Sequence, residues 1–391
     1  MEQFDVVIIG AGLAGLQCAR LLSQSGQRVL LVDHKEKLNQ AVHTTGIFVR
    51  RTLEDFDIPS DCLGPAVRHV TLHSPARRSL QLASPHDEFR IGRMGKLYQR
   101  LLEQSLRTGA EWMPATRYAE HSLLKNEIVV RLDGKRSSRW IKARYIVGAD
   151  GANSRVARQL ELDTNSEWIV GVEDVLRGVP LDGPPRLHCF LDRELAPGYL
   201  AWIANDGEEA HIGVGGYASM FEPGVALDRF RSSLGDIIDL KSSTCSERRG
   251  GRIPVGGVLR RIANEHGLLV GDAAGAVSPL TAGGLDPCIR LSTLAARVIT
   301  NYLATNDPAT LSEYSGELFR ARFTYRLWMR RIIKSLNQPA LELACLTLRL
   351  PLFNYFASQV FFGRGSFPDV EKPDIRLAQV EANQLWNTNI T

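Results

Sequence analysis

Three glycines near the start of the chain, Gly10, Gly12 and Gly15, stand in G-x-G-x-x-G spacing, and a carboxylate, Asp33, follows eighteen residues after the last. Such spacing lets a backbone turn tightly, approach a pyrophosphate and bring a helix close against a strand. A helix beginning at Leu13 and Ala14 presents free N–H groups and partial positive charge to phosphates. Asp33, with His34 beside it, sits where an acid hydrogen-bonds a ribose hydroxyl. The chemistry is dinucleotide binding, and the unit alone leaves FAD and NAD(P) open. Further along, Asp150-Gly151 and Gly271-Asp272 place two more carboxylates beside small residues.

The elements that position these groups are legible. Phe4–Ile9 is a short β-branched run, expected as a buried parallel strand. Leu13–Ser25 reads as a helix stopped by Gly26, and Arg28–Asp33 as a second buried strand. The loop after it carries His43 and Thr45. His43 is a candidate catalytic group facing the cofactor's far end or the substrate, or else a loop histidine without a role. Val67–Leu82 alternates like a hairpin around Ser74-Pro75. Leu97–Leu106 is expected as a helix, Ile128–Leu132 with Trp140–Ala143 as a hairpin, and Tyr145–Gly148 as a buried strand ending at Asp150. Residues 166–250 change character: Ile169–Val172, Arg186–Phe190, Leu200–Ile203 and His211–Val214 are short β-like runs between Gly/Pro turns, predicting an inserted antiparallel sheet that walls a substrate pocket. Gly267–Gly275 returns to a buried strand with an acid and small residues. A helix follows from Asp286 to Leu303, and residues 310–362 are helical.

The 391 residues, 44% hydrophobic, are enough for two or three domains and a large core. A net charge of +4 is mild, and no nucleic-acid motif is present. The six cysteines are scattered without C-x-x-C pairs, so neither zinc nor a disulfide framework is suggested, no metal is expected, and reduced thiols suit a cytoplasmic protein. No signal peptide or membrane-spanning run is read. Segment 319–334 interleaves arginines with aromatics. Arg322, Arg326 and Arg330 share one helical stripe. Three readings stand open: a solvated face, a peripheral membrane contact, or a dock for an acidic redox donor.

Three features together resemble the para-hydroxybenzoate-hydroxylase-type FAD superfamily: Gly10–Gly15 with Asp33; Asp150-Gly151 with Ser154 and Arg158; and Gly271-Asp272 followed by Pro279 and Gly283-Gly284. The resemblance covers roughly residues 1–335 and implies FAD. It implies that Asp272 bonds the ribityl chain, that the loop after Pro279 sets Gly283, Gly284 and Leu285 near the pyrimidine end of the flavin, and that Arg93 lies against the phosphates or ribose. No second G-x-G-x-x-G appears, so NAD(P)H would dock transiently or a reduced protein would donate electrons.

Pro197-Gly198-Tyr199-Leu200-Ala201-Trp202 with Ile212-Gly213-Val214-Gly215 resembles the P-G-Y-x-x-W…V-G segment of the geranylgeranyl-reductase-like branch. Tyr199 and Trp202, with Thr45, are then substrate-pocket candidates, or sheet-core aromatics. The halogenase branch fits less well: its W-x-W-x-I-P run is absent. Some geranylgeranyl reductases carry a cysteine where His43–Gly46 stands here. The expected architecture is α/β: a Rossmann-like FAD domain (1–75, 90–165, 250–310), an inserted β-sheet substrate domain (76–89, 166–249), a helical C-terminal region (311–367) and a tail (368–391). The expected activity is reduction of C=C bonds in an isoprenoid or other apolar small molecule. A monooxygenase of an aromatic or polyketide-like substrate and a redox-neutral flavoprotein are the alternatives.

Overall fold

The computed structural model describes residues 1–124, 127–180 and 183–363. The expected tail, 368–391, and the end of the helical region, 364–367, lie outside the described residues.

Strand Gln3–Ile9 is the axis of the first layer. Val6, Val7 and Ile8 are wholly buried, and each such side chain contributes roughly 1.5–3 kcal/mol by leaving water. Gln3–Ile9 pairs in parallel with Val29–Val32 on one side and with Ser138–Gly148 on the other. Gly267–Leu269 extends the same parallel set, so the third acidic turn emerges at the same end as the first glycines. Helix Leu13–Gln24 covers one face together with Met94–Arg107 and the long Leu285–Thr305. The 127–143 hairpin is a three-stranded unit, because Thr116–Leu124 pairs with Glu127–Gly134. Leu285–Thr305 is pinned from inside: buried Arg290 bonds Asp286 on its own helix and Asp55 on the short helix Arg50–Asp55.

The second layer is a seven-stranded sheet in the order 244–254, 168–177, 209–216, 201–205, 186–190, 69–73, 79–83. Two boundaries differ from the sequence reading. The hairpin His69–Ala83 belongs wholly to this sheet, because His69–His73 pairs with Arg186–Phe190, and that pairing is parallel. Thr244–Pro254 is also one of its strands, aligned with Trp168–Arg177 over its full length. A small three-stranded sheet, 47–49, 89–92 and 63–67, bridges the two layers. Helices Gly316–Ala321, Thr324–Ser335, Gln338–Thr347 and Pro351–Phe362 close one end.

Candidate active site

A cavity of about 1450 Å³ runs between the layers. At one end it is lined by Gly10, Gly12, Leu13, Ala14, Asp33 and His34. Gly10 has φ +105°, and a Cβ there would lie 2.2 Å from the Ala149 carbonyl. Gly15 is not in the wall; it lets the helix seat on the strand, since a Cβ would come to 1.8 Å from the Gly10 carbonyl. Gly12 faces open space, which is what a phosphate approaching the helix start requires. The Asp33 carboxylate accepts from the Ala11 N–H (2.7 Å) and the Lys35 N–H (2.8 Å). It thereby ties the second strand to the glycine turn and keeps acceptor capacity for a hydroxyl.

The second carboxylate is spent locally. Asp150 accepts from Ser154 Oγ (2.6 Å) and from the Arg155 and Val156 N–H groups (2.7 and 3.1 Å), capping the short helix Arg155–Gln159. It lines the cavity with Gly151 but acts by shaping the turn. The third is different. Asp272 lines the cavity, burial pushes its pKa up to about 6, and among the described residues nothing donates to its carboxylate. A half-buried carboxylate without a donor is costly. A hydroxyl donor on a ligand would satisfy it.

The loop Ser278–Gly284 forms the middle of the cavity wall. It is clamped from three sides. Tyr199 Oη donates to the Thr281 carbonyl (2.7 Å), Arg326 Nη1 to Ser278 Oγ (3.1 Å), and buried Arg330 Nη1 to the Pro279 carbonyl (2.7 Å). Within the loop, Ser278 N–H bonds the Gly283 carbonyl and Ala282 takes φ +50°. This fixes the N–H groups of the turn ahead of helix Leu285–Thr305, whose positive end faces the cavity, suited to negative charge on a reduced flavin ring.

Opposite the loop stands the seven-stranded sheet. Gly213 and Gly215 make slots: a Cβ on Gly213 would meet the Trp202 ring at 2.2 Å, and one on Gly215 the Tyr199 ring at 2.8 Å. That is the physical content of the glycine-alternating strand: it lets two aromatics lie flat on the sheet. Beside them is a buried ionic cluster. Glu173 accepts from Arg249 Nε (2.6 Å), Thr45 Oγ1 (2.6 Å) and Trp202 Nε1 (3.2 Å). His211 lies 3.8 Å from Glu173 and 3.8 Å from Asp206. Burial alone would raise the Glu173 pKa, but His211 and Arg249 outweigh it and hold the group at about 2. Burial would lower the His211 pKa, but Asp206 and Glu173 raise it to about 9. Thr45, Glu173, Trp202 and Arg249 all line the cavity.

The far end is apolar: Met329, Ile333, Leu341, Leu348 and Phe361, from the C-terminal helices, line the same cavity. A family model described as FAD binding domain matches residues 3–326. The chain belongs to the FAD binding domain family. Digeranylgeranylglycerophospholipid reductase 2 of Methanopyrus kandleri is 28% identical over 358 residues, covering 87% of this chain and 89% of its own. The digeranylgeranylglycerophospholipid reductase of Methanocella arvoryzae is 25% identical, covering 82% and 84%. The fold is shared with a geranylgeranyl bacteriochlorophyll reductase-like protein of Thermoplasma acidophilum (TM-score 0.82, 20% identity, 98% and 99% covered). It is also shared with aklavinone-11 hydroxylase (TM-score 0.67, 18% identity, 82% of this chain and 67% of that one).

FAD is thus the dinucleotide, and the protein is an oxidoreductase of that family. Gly271, Gly283, Gly284 and Leu285 line the cavity, as do His43, Thr45, Tyr199 and Trp202. Two expected contacts are not made. Arg93 does not reach the cavity; it turns outward to Glu208 (3.2 Å) and the Asp206 and Asp61 carbonyls, joining helix Met94–Arg107 to the inserted sheet. Pro279 belongs to the 278–284 loop, its carbonyl accepting from Arg330, and does not line the cavity. The arginine stripe is corrected too. Of its three members, Arg326 and Arg330 face inward onto that loop, while Arg322 stays exposed. His43 sits beside strand Thr244–Pro254, and burial with the nearby Lys35 charge lowers its pKa. Sequence reasoning missed Glu173, Arg249 and His211. An adjacent pair of acids, Glu173-Asp174, in an otherwise apolar strand was the available signal, but the arginine that pairs with Glu173 stands 76 positions away.

Proposed function

We propose that this flavoprotein reduces carbon–carbon double bonds in a long apolar chain of isoprenoid type. The observation that carries the reading is the continuity of the cavity from the flavin loop to the apolar inner faces of the C-terminal helices. Its volume exceeds the roughly 300–1,000 Å³ of an ordinary small-molecule pocket, leaving room for a dinucleotide and a second, elongated ligand. The names of the reductases it resembles support the same chemistry.

In this reading Gly10–Ala14, Asp33 and Asp272 hold the dinucleotide, and the loop 278–284 holds the ring system. When bound and reduced, that ring supplies a hydride. NAD(P)H or a reduced protein delivers the electrons. Tyr199 and Trp202 present flat faces against which an alkene can lie. Leu341, Leu348 and Phe361 exclude water along the chain. His43 is held neutral at physiological pH, so the proton comes from water at the polar end rather than from an imidazolium. The test is anaerobic: photoreduced holoenzyme is mixed with a prenyl lipid in detergent. Flavin reoxidation with a gain of two hydrogens per double bond is expected. A flavin that stays reduced across a panel of prenyl chain lengths removes the reading.

One feature favours a second reading. Arg249 and Glu173 place charge in the cavity wall, which suits a polar aromatic substrate of a monooxygenase. That reading requires oxygen from O₂ in the product. Full turnover without O₂ eliminates it.

A further inference from the structure

We infer that buried Arg330 is the cation that lets the 278–284 loop carry negative charge on a reduced flavin ring, and so raises the midpoint potential of the bound FAD. Arg330 stands on helix Thr324–Ser335, is 3% exposed and lines the cavity. Its Nη1 donates to the Pro279 carbonyl (2.7 Å) and its Nε to Tyr217 Oη (3.1 Å), with the guanidinium 5.3 Å from the centre of the Tyr217 ring. Nη2 is buried and has no hydrogen-bond partner among the described residues. Both partners are neutral, so a full positive charge is held out of water without a carboxylate of its own, which is costly. Glu167 is the acid next in line, and it accepts from Tyr217 Oη (2.7 Å) rather than from Arg330. It is shared with Lys334, whose Nζ lies 3.7 Å from Glu167 and 4.1 Å over the Tyr217 ring. Arg326, on Ser278 Oγ, adds a third cation, set against the charge of Asp286. The outer side of the loop is thus positive on balance.

The loop passes this charge to its cavity side. A trans peptide points its C=O and its N–H in opposite directions, so the grip of Arg330 on the Pro279 carbonyl leaves the Leu280 N–H on the far side. Leu280 lines the cavity, with Gly283 and Gly284. The N–H groups of these three residues make no backbone hydrogen bond among the described residues. A carbonyl that accepts from a cation makes the amide of the same peptide a stronger donor. Two electrons and one proton entering an oxidised flavin leave one negative charge, which a second proton would cancel. The oxidised ring carries no such charge, so the cation favours the reduced form over the oxidised one. The inference rests on the reading that this loop holds the ring system, and not on which substrate the flavin serves.

The experiment measures the midpoint potential of substrate-free, full-length holoenzyme by anaerobic reductive titration against a reference dye. Wild type is compared with Arg330→Met, Arg330→Lys and Glu167→Gln. Arg330→Met is expected to lose about tenfold in preference for reduced over oxidised FAD, the worth of a hydrogen bond to a charged group. For a two-electron couple that lowers the potential by about 30 mV. Arg330→Lys keeps a cation and a donor, and should recover about half of the loss or more. Glu167→Gln removes the opposing charge while keeping an acceptor for Tyr217, and should shift the preference the other way by about a factor of two. A loop merely loosened by substitution would not give shifts of opposite sign. An Arg330→Met potential equal to wild type overturns the inference, as do equal shifts in the Met and Lys variants. If Arg330→Met retains no FAD, Glu167→Gln decides: a potential that stays or falls overturns the role of Arg330. Amide hydrogen exchange of apoprotein and holoenzyme separates this role from the loop reading. If FAD slows exchange across 278–284, an unchanged potential sinks only the role of Arg330; if it does not, both fall.

Discussion

Replacing Glu173 by Gln keeps the side chain's size and an acceptor for Trp202 or Thr45, but removes the charge facing Arg249 and His211. The cost follows from two independent routes. Displacement of the carboxylate from 4.5 to about 2 corresponds to about 3 kcal/mol in favour of the charged form. Breaking a buried ion pair by removing one partner typically costs about 3–5 kcal/mol, and both side chains here are at most one-tenth exposed. At about 2 °C per kcal/mol for a chain of this size, the holoenzyme should melt about 6 °C lower. The pH profile gives a sharper signature. The depressed Glu173 contributes stability that is present above pH 4.5 and lost as pH falls toward 2. The raised His211 contributes stability that is present below its ordinary pKa of 6.5 and lost as pH climbs through about 9. Glu173→Gln should flatten the acid limb. It should also bring the alkaline loss to lower pH, because one of the two carboxylates holding His211 charged is gone. Adding Arg249→Met should recover part of the loss, giving a coupling of about 1–3 kcal/mol in the double-mutant cycle. A melting shift under about 2 °C, or additive single effects, would refute the buried cluster.

Asp272→Asn should weaken FAD binding by about tenfold or more, the loss of one or two charge-assisted hydrogen bonds, in a fluorescence titration of apoprotein. Arg93→Ala should leave that titration unchanged, because Arg93 bonds the inserted sheet rather than the cavity. Gly213→Ala should displace the Trp202 indole and cost about 1–3 kcal/mol by overpacking, seen as a changed near-ultraviolet circular dichroism band. His73 and His188, bonded ring to ring at 3.1 Å, are each pushed by burial to about 4. Their contribution is intact above pH 6.5 and lost as pH falls through 4, so His73→Gln should reduce the steepness of acid unfolding.

What could be read from the chain alone were the features that depend on neighbours in sequence. The opening βαβ unit is local: its glycines, helix start and terminal acid fall within one supersecondary unit, so their spacing carries their geometry. The same holds for the Asp150 turn and for the strand-acid-glycine run at 267–275. Tyr199 and Trp202 were also legible, because the alternating glycines that receive them lie only a dozen residues on. Only the tertiary structure decided where long-range partners meet. A strand does not announce its neighbour, so nothing in Trp168–Arg177 showed that Thr244–Pro254 would lie beside it and bring Arg249 to Glu173. Nor could the 69–83 hairpin show that a parallel pairing would draw it into the second sheet. The spacing of Arg322, Arg326 and Arg330 established a stripe but not its direction. Packing turned Arg326 and Arg330 onto the 278–284 loop, where the Ser278 hydroxyl and the Pro279 carbonyl accept from them, and left large apolar side chains such as Tyr325 and Trp328 outside.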